Sequence, residues 1–182
     1  ELKKISPDLV VTVAYGKILP TALLEFPPLG CINLHASLLP AYRGAAPIHR
    51  ALMDGETLTG VTVIKMTDQL DAGEILMQES EQILIEDTAG SLHDRLAVKG
   101  SRLLLQVVEA LVLGTAVTVA QDSLAASYAP PLKPEEEKID WGRSSLEVYN
   151  HIRGLTPYPG AYTGFKGKRL KVIRAVYPVL KE

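Results

Sequence analysis

Cys31-Ile32-Asn33-Leu34-His35-Ala36-Ser37-Leu38-Leu39-Pro40-Ala41-Tyr42-Arg43-Gly44 is the stretch on which the reading of this chain turns. Its first five residues read as a short apolar strand in which Asn33 and His35 are two apart, so both side chains leave the pleat on one face. The Ser, Pro, Tyr, Arg and Gly residues that follow mark an exposed loop. That loop puts the polar pair where a parallel strand presents its ligands, outside the carboxyl end. Further on, Gly60 to Met66 alternates Val61, Val63 and Lys65 against Thr62, Ile64 and Met66, a second strand. It ends beside the loop Asp68-Gln69-Leu70-Asp71-Ala72-Gly73, which carries Asp71. Strands alternating with helical segments predict an α/β fold.

Asn33, His35 and Asp71 suit one another chemically. A side-chain amide donates a hydrogen bond to an oxyanion, an imidazole moves a proton near neutral pH, and a neighbouring carboxylate orients the ring. Together they describe an acyl-transfer site that shuttles protons and has no protein nucleophile. Any one of the three alone is more often a satisfied polar residue or a turn former, so the constellation carries the reading. Ser37 is no nucleophile, because it lacks the strained Gly-x-Ser-x-Gly elbow.

Composition narrows the class. The chain has 182 residues, 47% of them hydrophobic and 22% charged, enough to bury one good core and part of a second. No apolar run reaches the ~18 residues that span a bilayer, and Glu1-Leu2-Lys3-Lys4 lacks the apolar centre of a signal peptide. The expectation is a cytoplasmic protein without membrane contact, or one of an organellar matrix if the source is eukaryotic. The single Cys31 excludes an internal disulfide, and four scattered histidines show no ligand spacing, so no metal is expected. Charge is uneven: residues 1–150 hold 12 Lys and Arg against 20 Asp and Glu, net −8, whereas residues 151–182 hold 7 against 1, net +6. A basic tail on an acidic body points any polyanion towards the C-terminal part.

Outward from the central stretch, Asp8 to Ala14 is a nearly continuous apolar run, expected as a parallel strand buried on both faces. The following Tyr15-Gly16-Lys17-Ile18-Leu19 lies at its carboxyl end, beside the Asn33 loop, and Pro20 opens a short helix through Phe26. Pro47 to Asp54 has a helical pattern stopped by Gly55. Glu74 to Ile85 reads as a further strand or ribbon. Thr88 to Leu113 forms a long amphipathic helix with Leu92, Leu96, Leu103, Val107 and Leu111 on one face, and surface residues His93 and Asp94. Thr115 to Asp122 is expected as a short edge strand. Residues 130–140, rich in Pro and Glu, are expected as a linker between a unit at 1–129 and a unit at 141–182. In the latter, Ser144 or Ser145 caps a helix from Leu146 to Arg153, and Ala161 to Val176 forms a hairpin with basic tips.

The motifs Asn33-Leu34-His35-Ala36-Ser37-Leu38-Leu39-Pro40, Arg43-Gly44-Ala45-Ala46-Pro47-Ile48, Gly60-Val61-Thr62 and Leu70-Asp71-Ala72-Gly73-Glu74-Ile75-Leu76 resemble the folate-dependent formyltransferases. Arg43 to Ile48 and the tail Ile152-Arg153-Gly154-Leu155-Thr156-Pro157-Tyr158-Pro159-Gly160-Ala161-Tyr162-Thr163 are similar to the tRNA-acting branch of that family. His49 departs from its pattern, where Gln is more usual. The resemblance implies the C-terminal half of a Rossmann-like formyltransferase sheet followed by the start of a small oligonucleotide-binding-type β-barrel, in a fragment lacking an upstream half-sheet and most of the barrel. It implies 10-formyltetrahydrofolate as formyl donor, with Ser37, Leu38, Leu39, Pro40, Tyr15, Ile18 and Leu19 around the folate. Asn33, His35 and Asp71 are the catalytic residues it implies, in a monomer. The acceptor would be the amino group of methionine on initiator methionyl-tRNA, met by Arg43, Arg153, Lys166, Lys168, Arg169 and Lys171. Two other readings stay open. One is the same chemistry on an amino-sugar nucleotide or ribonucleotide amine, or hydrolysis of the donor; the other is an RNA-binding module with a vestigial site.

Overall fold

The computed structural model of the chain describes residues 2–177; residue 1 and residues 178–182, the end of the expected C-terminal unit, lie outside the described residues. Four strands form the main sheet in the order β1 (Val10–Val13), β2 (Cys31–His35), β3 (Leu58–Lys65) and β4 (Ile75–Gln82). β1 and β2 run parallel, with Val10 opposite Cys31 and Val13 opposite Leu34. A four-residue helix α1 (Leu2–Ile5) precedes them, and α2 (Thr21–Leu24) lies in the crossover. Cys31 is a buried free thiol whose Sγ sits 3.5 Å from the Leu23 carbonyl of α2; burial pushes its pKa up.

Beyond β2 the sheet is antiparallel. β2, β3 and β4 form an antiparallel meander, with Ile32 opposite Lys65 and His35 opposite Thr62. The carboxyl end of β3 therefore lies beside the start of β2, three residues (roughly 10 Å) from His35. Side-chain alternation is identical in either strand direction, so the sequence pattern carried no information on this point.

Alternation divides the two faces. Ile32, Val61 and Val63 face a helical layer with Leu34 packed beside them, while Thr12, Asn33, His35 and Thr62 share the opposite face. The layer is α3 (Pro47–Asp54) and the 24-residue α4 (Ala89–Val112), which bury Ala51, Leu52, Leu92, Leu96, Leu103 and Val107. α3 starts on Pro47 and ends on left-handed Gly55, as expected. α4 opens on a capping box, Thr88 with Ser91. Gly100 lets it approach the sheet, since a Cβ there would lie 2.7 Å from Leu34. α4 packs over β3 and β4, leaving Val11 and Val13 of the edge strand β1 exposed, at 42% and 54%. The expectation of a strand buried on both faces fails there.

Residues 115–122 form no strand; Val119 makes one bridge, exchanging two hydrogen bonds with Ile75 at 2.8 and 2.9 Å on the outer edge of β4. The expected linker is no free tether. Leu132 and Ile139 enter a second core with Ile152, Leu155 and Ala161, and Pro134–Glu137 is a 3-10 turn. α5 (Ser145–Gly154), capped by Ser144 with Glu147, packs on α3, and β5 (Tyr162–Phe165) and β6 (Lys168–Lys171) form a two-stranded antiparallel ribbon. Two seams join the cores. Arg50 of α3 donates to both carboxylate oxygens of Glu136, and Arg153 of α5 to the Leu84 carbonyl at 2.9 Å, with its side chain buried.

Candidate active site

β1 and β2 aim an amide. Asn33 stands opposite Thr12, and the buried Thr12 hydroxyl donates to Asn33 Oδ1 at 2.8 Å. With its oxygen engaged, Asn33 directs both N–H donors of its Nδ2 away from β1, and the residue keeps partial exposure. His35, one pleat further along the same face, is buried. Its Nε2 lies 2.8 Å from the Tyr42 carbonyl oxygen; a carbonyl can only accept, so Nε2 holds a proton and Nδ1 is the nitrogen free to exchange one.

Nδ1 faces Asp71 Oδ2 at 3.6 Å. Because β3 ends at the far end of β2, the loop 66–74 must fold back across the sheet to achieve this. It does so with Asp71 in the left-handed region, at φ 47°, a conformation that disfavours a non-glycine residue by about 1–2 kcal/mol. Compensating contacts hold it there. The Gly44 N–H donates to Asp71 Oδ2 at 2.9 Å, and Gln121 Nε2 donates to the carbonyls of Asp71 and Gly73 at 2.8 and 2.7 Å. Gly44 itself sits at φ 120°, where a Cβ would lie 2.7 Å from the Ala129 carbonyl, so glycine is required at this donor.

The loop after His35 is held from below by a polar row that crosses the sheet. Thr62 donates to the Ser37 carbonyl at 2.6 Å and accepts from the Leu39 N–H at 3.1 Å, while Gln78 donates to the Leu39 carbonyl at 2.7 Å. Tyr42 is pinned through its hydroxyl to Asp54 and Glu56 at 3.0 and 3.1 Å; burial and these two carboxylates push the phenol pKa far up and keep it protonated. Three of the expected folate residues have buried side chains: Ser37, whose hydroxyl donates to the Ala41 carbonyl at 2.6 Å, Leu39 and Leu19. Leu38 and Pro40 remain partly accessible and Tyr15 and Ile18 are exposed; the β1–β2 register brings Tyr15 alongside the end of β2.

Two of the residues expected to meet tRNA are buried. Arg43 is buried with Nε and a terminal nitrogen donating to Gln121 Oε1 at 3.1 and 2.7 Å. Arg153 is buried against Asn150 Oδ1 and the backbone carbonyls before α4, and burial lowers its pKa. Both guanidinium groups make internal hydrogen bonds. Lys166, Lys168, Arg169 and Lys171 lie exposed on the β5–β6 ribbon; Arg169 stacks 3.7 Å from the Tyr162 ring centroid and Lys171 Nζ donates to the Pro159 carbonyl at 2.8 Å. Among the described residues no group of His, Cys, Asp and Glu has the arrangement to hold a metal ion, and no helix is long and apolar enough to cross a membrane.

The family model of formyl transferase matches residues 1–108, and that of the formyl transferase C-terminal domain matches residues 131–181. The chain belongs to the formyl transferase family. A methionyl-tRNA formyltransferase from Moorella thermoacetica is 53% identical over 175 residues, covering 96% of this chain and 56% of that protein. The chain thus spans about half the length of the curated relatives it matches. HypX from Aquifex aeolicus, solved with tetrahydrofolic acid, superposes with a TM-score of 0.83 at 18% identity over 95% of this chain and 30% of that one. An N-formyltransferase from Helicobacter canadensis, solved with folinic acid and dTDP-3-aminofucose, gives 0.68 at 24% identity over 76% and 52%. At these identities the likeness is one of fold.

Within this formyl transferase chain the fold brings Asn33, His35 and Asp71 to one face. Four polar residues around them were given no site role by the sequence reading: Thr12, Thr62, Gln78 and Gln121. Thr12 sat inside an apolar run and Gln121 in a polar connection, where neither stands out. Thr62 had a signal, as the polar member of Gly60-Val61-Thr62 on the strand opposite His35.

Proposed function

We propose that the chain carries the transfer site of an enzyme that moves the formyl group of 10-formyltetrahydrofolate to the amino group of methionyl initiator tRNA. One observation carries the chemistry: a partly exposed amide and an Asp-flanked imidazole nitrogen share one face of the sheet. The amine nitrogen forms a bond to the formyl carbon, whose oxygen gains the negative charge and is held by Asn33 Nδ2–H, while the amine proton passes to His35 Nδ1. Collapse breaks the bond from carbon to N10, and the proton ends on N10, releasing tetrahydrofolate and the N-formylated product. One such oxyanion donor is worth ~2–4 kcal/mol of barrier. Asp71, beside Nδ1, orients the ring for that transfer.

Leu38, Pro40, Tyr15 and Ile18 would line the folate. Residues 1–129 would hold the transfer site and 141–182 begin the tRNA-facing unit, with 130–140 packed between them. The relatives at about half identity support the tRNA acceptor, and a cytoplasmic monomer suits that role. The test supplies the full-length protein containing this chain with 10-formyltetrahydrofolate and, separately, methionyl initiator tRNA, an amino-sugar nucleotide, or water. Formylmethionyl-tRNA at a rate at least tenfold above the other products is expected; preferential formylation of the sugar, or release of formate alone, overturns the reading.

A further inference from the structure

Residues 119–129, which neither family model matches, run as a strap across both loops of the site. Val119 pairs with Ile75 just after the Asp71 loop. At the other end Ser127 Oγ accepts from the Tyr42 N–H at 2.9 Å, and the Ala129 N–H donates to the Arg43 carbonyl at 2.7 Å. Gln121 is the link between them. Its Oε1 takes two donors from buried Arg43, which leaves its Nε2 facing the other way, onto the carbonyls of Asp71 and Gly73.

We propose that Gln121 is a positioning residue for transfer, with the Arg43 guanidinium orienting its amide so that it clamps Asp71 against His35. Guanidinium nitrogens only donate, so they force Oε1 towards Arg43 and Nε2 towards the Asp71 loop. Without the Nε2 donors, two carbonyls lose their partners and the left-handed Asp71 loses the restraint on its backbone, keeping only the Gly44 bond to its side chain. The carboxylate then drifts from Nδ1, and a displacement on the order of 1 Å at a proton-transfer pair lowers turnover by about ten- to a hundredfold. The proposal rests on the formyl-transfer reading for its rate consequence only; the clamp itself is geometric.

Gln121→Glu separates the two halves of the clamp, because a carboxylate still accepts both Arg43 bonds but cannot donate to the Asp71 loop. Gln121→Met keeps the volume and removes all four bonds. In the full-length protein, both variants should lower kcat about tenfold or more while KM for either substrate stays within about twofold. With selectively 15N-labelled histidine, the His35 ring resonances should move in both variants while those of exposed His93 stay in place. Unmoved His35 resonances in a folded variant overturn the proposal, as does a kcat within twofold of wild type. If the wild-type protein formylates none of the acceptors yet the His35 resonances move, the clamp stands and the functional reading falls.

Discussion

Thr12 orients the Asn33 amide from a neighbouring strand with one hydroxyl. Its proton goes to Asn33 Oδ1 at 2.8 Å, though the Ile32 carbonyl lies within reach at 3.3 Å. That second acceptor matters for mutagenesis: when Asn33 is shortened, the buried hydroxyl can turn to Ile32 and is not left unpaired. Asn33→Ala should therefore lower kcat about a hundredfold, the value of one oxyanion donor, while unfolding free energy changes by less than about 1 kcal/mol. Steady-state kinetics beside urea denaturation checks both, and near-normal turnover would remove Asn33 from the oxyanion role. Asn33, His35 and Asp71 were legible in the sequence because loop motifs and residue types announced them. Gln121 was not, since a glutamine among polar neighbours looks the same whether it is solvated or clamps a carboxylate.

Among the elements, local punctuation was readable and long-range placement was not. Gly55 ending α3, Thr88 opening α4 and Ser144 opening α5 act within one helical turn, so the sequence displays them directly. The direction of β3, the packing of 130–140 and the burial of Arg43 and Arg153 depend on partners far along the chain, 78 residues away for Arg43 with Gln121 and 86 for Arg50 with Glu136. The last pair makes a pH test of the seam between the cores. The Arg50 hydrogen bonds outweigh burial and hold the Glu136 carboxyl down to about 2 from 4.5. A carboxyl pKa depressed on folding stabilises the native state fully above its unfolded value, and that stabilisation is lost as pH falls towards the folded one. Glu136→Gln, on a partly exposed pair, should be less stable than wild type by about 1 kcal/mol at pH 7. The difference should persist to about pH 5 and shrink between 4.5 and 2, measured by urea denaturation across that range. A pH-independent difference would mean that Glu136 acts through packing alone.

On the scale of the whole molecule, the acidic body and basic end meet in one shape. With Arg43 and Arg153 internal, Lys166, Lys168, Arg169 and Lys171 on the ribbon are the cations expected to meet phosphate. If about three of them do, the affinity of the full-length protein for initiator tRNA should fall about tenfold or more for a fourfold rise in salt. Changing Lys166 and Lys168 to Ala together should flatten that salt dependence while formylation at saturating tRNA persists. Filter binding at several salt concentrations reads the slope, and an unchanged slope would assign the ribbon's charge to solvation.

Cys31 gives the molecule a reporter of its own. It is the one thiol of the chain, it is buried, and it begins the strand that carries Asn33 and His35. A thiol reagent can reach it only when β2 parts from α2, so the labelling rate measures how often the site strand opens. Bound folate or tRNA that steadies this strand would slow the labelling, which lets occupancy be followed without turnover.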